Sequence, residues 1–488
     1  MAAVHETADG LLYNLIGGEW KPAKSDRCDD VYNPATGRVI GKVPLSSNAD
    51  VDDAVIAAEK AFDSWRDTPV YARSAVLFRF KSLVEANKEA IARSITEEHG
   101  KVLAEARAEV ERGLECVEFA CGITAHLQGR NLEIVATGVD VEMYRQPLGV
   151  AAGICPYNFP AMIPMWMFPV AIACGNTFVL KPSERTPRTA SLLADLLLEA
   201  GVPEGVFNVV HGGREVVDAL LCHPGVKAVS FVGSQPVAAY VYRKGAEHGK
   251  RVQALSGAKN HLIVLPDADL PRTVEAVVAS AFGSSGQRCM AGSVLVAQDE
   301  IAGEFLEALS ERASKVKVGS GFDPGVEMGP LIREQHRSRV RSYIEKGALE
   351  GARLVLDGRT HPVPGEGFFL GPSIFDGVDP SMAIAREEIF GPVLSTVRVD
   401  SVEEAIDLVN RSEYGNGAVL FTQSGKAARQ FRRYANAGMI GINVGVPAPV
   451  GAFPFSGWKN SFYGTVHVNG YDGIEFFTEK KVVTSRWF

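Results

Sequence analysis

Apolar positions in the N-terminal part of the chain follow two rhythms. From Leu11 to Val43 they come in short runs broken by Gly, Pro and Asp, the punctuation of short strands. From Ala49 to Trp65 they recur every three or four positions, which predicts an amphipathic helix with Asn48 or Asp50 as its cap. Longer helical patterns run from Tyr71 to Glu98 and from Lys101 to Leu127. Leu132, Ile134 and Ala136 then alternate with polar neighbours up to a Thr137-Gly138 turn. Val139, Val141 and Met143 alternate after it, so the spacing predicts a β-hairpin.

Beyond the hairpin the grammar changes. GVAAGICP, TFVLKPS, VFNVVHG and AVSFVGS read as short buried strands separated by helical patterns. One of those helices is opened by Thr186-Pro187 and closed before Gly201. Strands alternating with helices predict βαβ units and a mostly parallel sheet, whose ligands bind beyond the strands' carboxyl ends. A second α/β run starts near Asn260 with HLIVLP and continues to about Asn443. The closing stretch IEFFTEKKVVTSRWF reads as a terminal strand in search of an edge, one that another subunit could supply.

From Gln146 to Leu180 there is no Asp, Glu, Lys or Arg. Pro147, Pro156, Pro160, Pro164 and Pro169 interrupt this run, so it reads as the buried centre of an α/β domain and not as a membrane helix.

The chain has 488 residues, 46% hydrophobic and 22% charged, enough for a large core. A formal net charge of -8 lacks the basic footprint of a nucleic-acid binder. Seven cysteines, an odd number spread thinly, fit a reducing compartment. The start MAAVHETADG has neither secretory nor transit character, and together these point to the cytoplasm. No Cys, His or acidic cluster has metal-ligand spacing. Cys116 and Cys121 read as packing residues. The strict dinucleotide fingerprint is missing: Gly233 is followed by no third glycine at the expected spacing.

Cys289, in AFGSSGQRCMAG, is the candidate nucleophile. Gly283, Gly286 and Gly292 around it allow close approach by other groups, and Arg288 beside it would favour a thiolate and could hold an anion. A cysteine taken alone is more often a packing residue. Here AGICPYNFPAMIPMWMFPVAIACGNTFVLKPSERTP, SFVGS, GSSGQRCMAG and EEIFGPV stand in the order and spacing of the aldehyde dehydrogenase superfamily. From about Ile16 to the TSRW near its end the chain resembles that family, most nearly its CoA-acylating branch, which acts on malonate and methylmalonate semialdehydes.

The resemblance implies an α/β aldehyde-dehydrogenase-like fold. Residues 1–127 and 147–257 would form the NAD-binding domain and 258–450 the catalytic domain. Residues 128–146 and 466–488 would form an oligomerisation element of a homotetramer. It makes Cys289 the nucleophile and Asn158 the oxyanion-hole amide, a residue that read alone would be a helix cap before Pro160. Lys181, Glu184 and Arg185 would meet the adenosine ribose, and Ser234 the pyrophosphate. Cys155, Tyr157 and Ser256 would line the same site, and Glu388 and Phe390 would meet the nicotinamide ribose. Glu388 read alone would be a solvated loop carboxylate.

Two features separate the chain from the wider superfamily. Hydrolytic members carry a glutamate 34 residues before the cysteine; here that position is Leu255, with Gln253, Ala254 and Ser256 around it. Without that base, coenzyme A is the expected acyl acceptor, since a thiol needs less activation than water. In the semialdehyde branch arginines at the positions of Arg112 and Arg288 resemble a clamp for the substrate carboxylate. Read alone, Arg112 would be a surface partner of Glu109, Glu111 or Glu115. The expected reaction is NAD-dependent, CoA-acylating oxidative decarboxylation of a small semialdehyde to acetyl-CoA or propionyl-CoA. The alternative is a hydrolytic aldehyde dehydrogenase that makes a free acid.

Overall fold

The computed structural model describes residues 5–488. Two parallel-rich sheets organise it. The first runs Glu19–Lys21, Asn14–Ile16, Phe207–Val209, Thr177–Lys181, Val150–Ile154, Val226–Val232, Arg251–Leu255, Phe462–Tyr463. Its five central strands are parallel and its outer strands antiparallel. The chain winds outward in one direction from Val150–Ile154 and then in the other from Val226–Val232. That reversal opens a crevice at the carboxyl ends, as a doubly wound sheet requires.

The second sheet runs Arg353–Leu356, Ser373–Asp376, Val393–Val399, Gly292–Gln298, Asn260–Val264, Gly417–Phe421, Met439–Ile442. It is parallel except at the Arg353–Leu356 edge. The mixed α/β architecture expected from the alternating strand and helix patterns is therefore present.

The charge-free stretch lies at the centre of the molecule. It includes helix Met162–Ala173, every residue of which is buried. Trp65 donates from its indole to the Ile172 carbonyl at 3.0 Å, which ties the first helix to this one. Helix Leu103–Cys121 crosses it closely. A Cβ at Gly113 would lie 2.2 Å from Met165 Cε and 3.3 Å from the Met162 Cα, so a side chain there would displace the Met165 terminus and crowd the crossing. Among the described residues, no helix is long and apolar enough to cross a membrane.

Five local expectations are corrected. The first helix spans Asn48–Arg66 and its N-cap is Ser47, not Asn48 or Asp50. Asp50 sits one turn in and folds back: its buried carboxylate accepts from the Ser47 N–H at 2.8 Å and from the Lys24 N–H at 2.9 Å. The pattern from Tyr71 to Glu98 is two helices, Val70–Ala86 and Lys88–His99, parted at Asn87. Its side-chain amide bonds to the Leu83 carbonyl at 2.9 Å and competes with the backbone ladder. The Lys101 to Leu127 pattern narrows to Leu103–Cys121 and a short turn, Ile123–His126.

At the C-terminus, Ile474 to Phe477 close a helix, Gly470–Phe477, and only Thr478–Arg486 is strand. That strand finds its edge in its own chain. It pairs antiparallel with Val139–Pro147 along its whole length, making a three-stranded sheet with Arg130–Ala136.

Asp50→Ala removes the acceptor for the Ser47 and Lys24 N–H groups. It should cost about 1–3 kcal/mol locally, since buried donors lose their partner. The expected result is a lower melting temperature and faster amide hydrogen exchange at the start of helix Asn48–Arg66; unchanged exchange there would remove the role.

Candidate functional site

A cleft of about 1300 Å³ opens where the two sheets meet. The first sheet contributes residues just past the carboxyl ends of its strands: Cys155, Tyr157 and Asn158 after Val150–Ile154, Glu184 and Arg185 after Thr177–Lys181, Ser234 after Val226–Val232 and Ser256 after Arg251–Leu255. Lys181 closes its own strand. The second sheet contributes residues just ahead of the amino ends of its strands: Cys289 before Gly292–Gln298, and Glu388 and Phe390 before Val393–Val399.

Cys289 also lines a second, smaller cavity of about 200 Å³, together with Arg112 and Arg288. Phe159 borders both spaces. The thiol thus sits where two cavities join, one large and polar enough for a dinucleotide, the other small and walled by Met162, Trp166 and Phe455.

The turn carrying Cys289 is held tightly. Ser284 and Ser285 adopt left-handed backbone angles, with φ of 51° and 55°. The Ser284 N–H is secured by the Glu105 carboxylate at 2.9 Å. Gly286 has φ of 69°, and a Cβ there would lie 2.3 Å from the Gly391 carbonyl oxygen, so the Cys289 turn meets the EEIFGPV loop only through glycine. The Cys289 carbonyl accepts from the Asn260 amide at 2.9 Å and from the Asn416 amide at 3.0 Å. The Asn158 amide donates to the neighbouring Gln287 carbonyl at 3.0 Å. Asn158 therefore does not cap helix Met162–Ala173; its side chain points at the turn that carries Cys289.

Asn260, Asn416 and Gln287 are parts of the site that sequence reasoning missed. Asn260 was visible only as the residue opening HLIVLP, and Asn416 only as a turn residue in YGNG.

The two arginines reach the small cavity already engaged. Arg112 makes paired hydrogen bonds to the Glu115 carboxylate at 2.8 and 2.9 Å and also donates to the Pro449 carbonyl. Arg288 turns back from the thiol to the carbonyls of Gly283, at 3.1 Å, and Ala279. Its guanidinium lies 3.9 Å from Glu105. Arg288 does favour the thiolate, as expected, but only weakly. Burial first, and then the Glu388 charge, push the Cys289 thiol up to about 12, and Arg288 offsets this only in small part.

Around the rest of the cleft, Lys181 and Glu184 pair at 3.0 Å. Burial alone would raise the Glu184 carboxyl, but the Lys181 ammonium, its own backbone N–H and Arg185 outweigh it and hold it down to about 2. Glu184 is therefore an anion over the whole physiological range, suited to accept from sugar hydroxyls. The Arg185 guanidinium lies 5.2 Å from the Tyr157 ring centroid.

Ser234 is the N-cap of helix Gln235–Glu247 and lines the cleft. The buried Ser256 hydroxyl has no hydrogen-bond partner among the described residues. The Cys155 thiol is turned inward to Met167, leaving its backbone at the cleft wall. Glu388 is not a solvated carboxylate: it accepts from the Ala258 N–H at 2.8 Å, and burial raises it to about 7. Phe390 has φ of 60°, and its carbonyl accepts from His336 at 2.7 Å.

No carboxylate stands at Leu255, which is buried at a strand end. The three carboxylates of the small cavity are all occupied: Glu105 by the Ser284 N–H, Glu109 by Lys101 and Glu115 by Arg112. A cavity so arranged can hold a small anionic aldehyde beside a thiol, and it offers water no free base.

With its thiol near 12, Cys289 should react with iodoacetamide at a rate that climbs about tenfold per pH unit from pH 7 to 10, because the thiolate is the nucleophile. Above pH 7 Glu388 is increasingly anionic and opposes the thiolate, so Glu388→Gln should speed alkylation at pH 9 by about 2- to 10-fold and leave it unchanged at pH 5.5. A wild-type rate that levels off below pH 8 would contradict this arrangement.

Comparison with known proteins agrees with the geometry. The Aldehyde dehydrogenase family model matches residues 20–483. The malonate-semialdehyde dehydrogenase of Halalkalibacterium halodurans is 55% identical over 476 residues, 98% of each chain. Malonate-semialdehyde dehydrogenase 2 of Geobacillus thermodenitrificans is 56% identical over 481 residues, covering 98% of this chain and 100% of that one. The crystal structure of methylmalonate-semialdehyde dehydrogenase from Oceanimonas doudoroffii superposes with a TM-score of 0.96 at 48% identity over 98% of each chain. An NAD+ complex of an aldehyde dehydrogenase from Bacillus cereus superposes with a TM-score of 0.93 at 33% identity, over 97% of this chain and 96% of that one. With the same fold and a cysteine at the meeting of two cavities, this chain belongs to the aldehyde dehydrogenase family.

Proposed function

We propose that the protein is an NAD-dependent, CoA-acylating dehydrogenase that oxidatively decarboxylates malonate semialdehyde or methylmalonate semialdehyde to acetyl-CoA or propionyl-CoA. The observation that carries this reading is the small cavity, in which two guanidiniums, Arg112 and Arg288, share the space of Cys289. Relatives more than half identical over nearly their full length bear the malonate-semialdehyde name, which supports it.

The cleft fits NAD by the chemistry of its groups. Glu184 offers a permanent anion to ribose hydroxyls and disfavours a 2′-phosphate, the helix N-terminus at Ser234 offers N–H groups to the pyrophosphate, and Ser256 has a hydroxyl to donate. NAD, when bound, supplies the hydride acceptor. Lys181, Glu184, Arg185 and Ser234 would hold its adenosine and phosphate end. Tyr157, Ser256, Glu388, Phe390 and the Cys155 backbone would line the rest.

On this reading the substrate carboxylate enters between Arg112 and Arg288 and exchanges with the carbonyls and carboxylates that now occupy them. The Cys289 thiol gives up its proton to solvent, and the thiolate sulfur adds to the aldehyde carbon. The negative oxygen so formed is stabilised by the Asn158 amide and the Cys289 N–H. Loss of hydride from that carbon leaves a thioester on Cys289. The substrate carboxylate is β to the thioester carbonyl, so carbon dioxide can leave while its bonding pair passes into an enolate, which is then protonated. The CoA thiol attacks the shortened acyl group and frees the Cys289 thiol.

A hydrolytic outcome would need a base for water, and Leu255 stands at the family position for one. The exposed apolar residues of the three-stranded sheet, among them Leu132, Ile134 and Val482, support assembly of copies through that sheet into the homotetramer.

NADH absorbance with malonate semialdehyde and NAD should show sustained turnover only with CoA present, yielding acetyl-CoA and carbon dioxide in equal amounts. Arg112→Ala and Arg288→Ala should each raise KM for the semialdehyde by about 10- to 100-fold, the loss of one charge-assisted pair, and change KM for an uncharged aldehyde little. Equal NADH production without CoA, with free acid as product, would favour the hydrolytic reading.

A further inference from the structure

Behind Asn158 two opposite charges are sealed in the interior. The side chains of Lys101 and Glu109 are 1% and 0% exposed, and Lys101 Nζ lies 2.7 Å from Glu109 Oε2. The same ammonium donates to the backbone carbonyl of Asn158 at 2.6 Å and stands 4.1 Å from the centroid of the Phe159 ring. The other oxygen of Glu109 accepts from the N–H groups of Ala161 and Met162 at 2.9 and 3.2 Å. Residues 158–162 are thus gripped at both ends by one ion pair: at the Asn158 carbonyl by the cation, and at the start of helix Met162–Ala173 by the anion.

An ion pair out of reach of water is costly to form, and it gives little net stability over an apolar pair of the same volume. What it does give is direction. The ammonium fixes the Asn158 carbonyl, hence its peptide plane, and hence the side-chain amide that now reaches the Gln287 carbonyl. An oxyanion donor must be held within about half an ångström of its working position.

We propose that Lys101, held by Glu109, is a positioning residue that sets the Asn158 amide for the oxyanion formed at Cys289. The proposal rests on the oxyanion role given to Asn158 above. It does not depend on the identity of the acyl acceptor, because the oxyanion forms before any acceptor is needed.

The experiment is a double-mutant cycle on the NADH burst, measured in the intact protein with NAD and malonate semialdehyde but no CoA. Asn158→Ala should slow the burst by about 10²- to 10³-fold, the loss of one oxyanion donor. Lys101→Met, of similar length but without charge or donors, should slow it by about 10-fold or more on the same ground, while the dissociation constant for NAD stays within about twofold. The double variant should be no slower than Asn158→Ala by more than about twofold, because both changes remove one effect.

Multiplied losses in the double variant, or a wild-type burst in Lys101→Met, would overturn the proposal and leave the role of Asn158 standing. A full burst in Asn158→Ala would overturn that role and the proposal with it. If Lys101→Met does not fold, Glu109→Gln takes its place in the cycle: it keeps the volume and an acceptor for Ala161 and should show the same non-additivity at a smaller loss.

Discussion

The carbonyl oxygen of Cys289 accepts two side-chain amides, from Asn260 and Asn416, while the carbonyl of Gln287 accepts a third from Asn158. Asn260 and Asn416 stand at the amino ends of strands in the second sheet, and Asn158 lies past the carboxyl end of a strand in the first. The turn carrying Cys289 is therefore stitched to both halves of the molecule at once. A carbonyl held from two directions cannot rotate, and with planar peptides the orientation of residues 287–290 is set by it. The rest of the site depends on this. The large cleft and the small cavity meet at the thiol only because the thiol has one place to be.

The charges nearest the thiol obey the same constraint. Three cations of the small cavity, Lys101, Arg112 and Arg288, lie against Glu109, Glu115 and Glu105. A sealed pair such as Lys101 and Glu109 would cost about 3–5 kcal/mol if one member were removed. The two arginine pairs are more open, with side chains 33% and 21% exposed, and so can release their partners at lower cost. The division is physical: the buried pair is suited to hold shape, and the half-buried pairs to exchange partners. It also accounts for the resting thiol. With Arg288 turned away to backbone carbonyls, the backbone N–H groups of Cys289 and Met290 and the Arg288 charge do not outweigh burial and the Glu388 charge.

The strand grammar from Val150 onward was legible because buried parallel strands must be short apolar runs closed by turn residues, and those turns carry the site. The family motifs then supplied Asn158, Cys289, Glu388 and their neighbours, and all of these line one cleft. Other features could not be read. Asn260 and Asn416 lie 29 and 127 residues from Cys289, and no local spacing links an amide to a carbonyl so far away. Arg288 is adjacent to Cys289 in sequence, yet it faces the end of helix Leu270–Phe282; adjacency fixes distance along the chain and not direction. Lys101 stood only at the start of a helix pattern and Glu109 only as a surface partner for Arg112, since burial is a tertiary fact. The C-terminal strand read as partnerless because its edge, Val139–Pro147, lies more than three hundred residues earlier.

The position of Leu255 bears on the order of the proposed chemistry. It is buried at the end of Arg251–Leu255, and the carboxylates of the small cavity already have partners. An acyl thioester formed there would meet no base at the Leu255 position to activate water. Hydrolysis would then be slow, and the thioester would persist long enough for a β-carboxylate to leave as carbon dioxide. Once it leaves, Arg112 and Arg288 can return to Glu115, Glu105 and the nearby carbonyls, so that loss of the anion restores the resting pairs. On the proposed reading, an apolar side chain in place of a catalytic carboxylate would do more than remove hydrolysis. It would give the acyl-enzyme the lifetime that a decarboxylating, thiol-accepting reaction requires, and would leave the acceptor to be chosen by what can enter the large cleft.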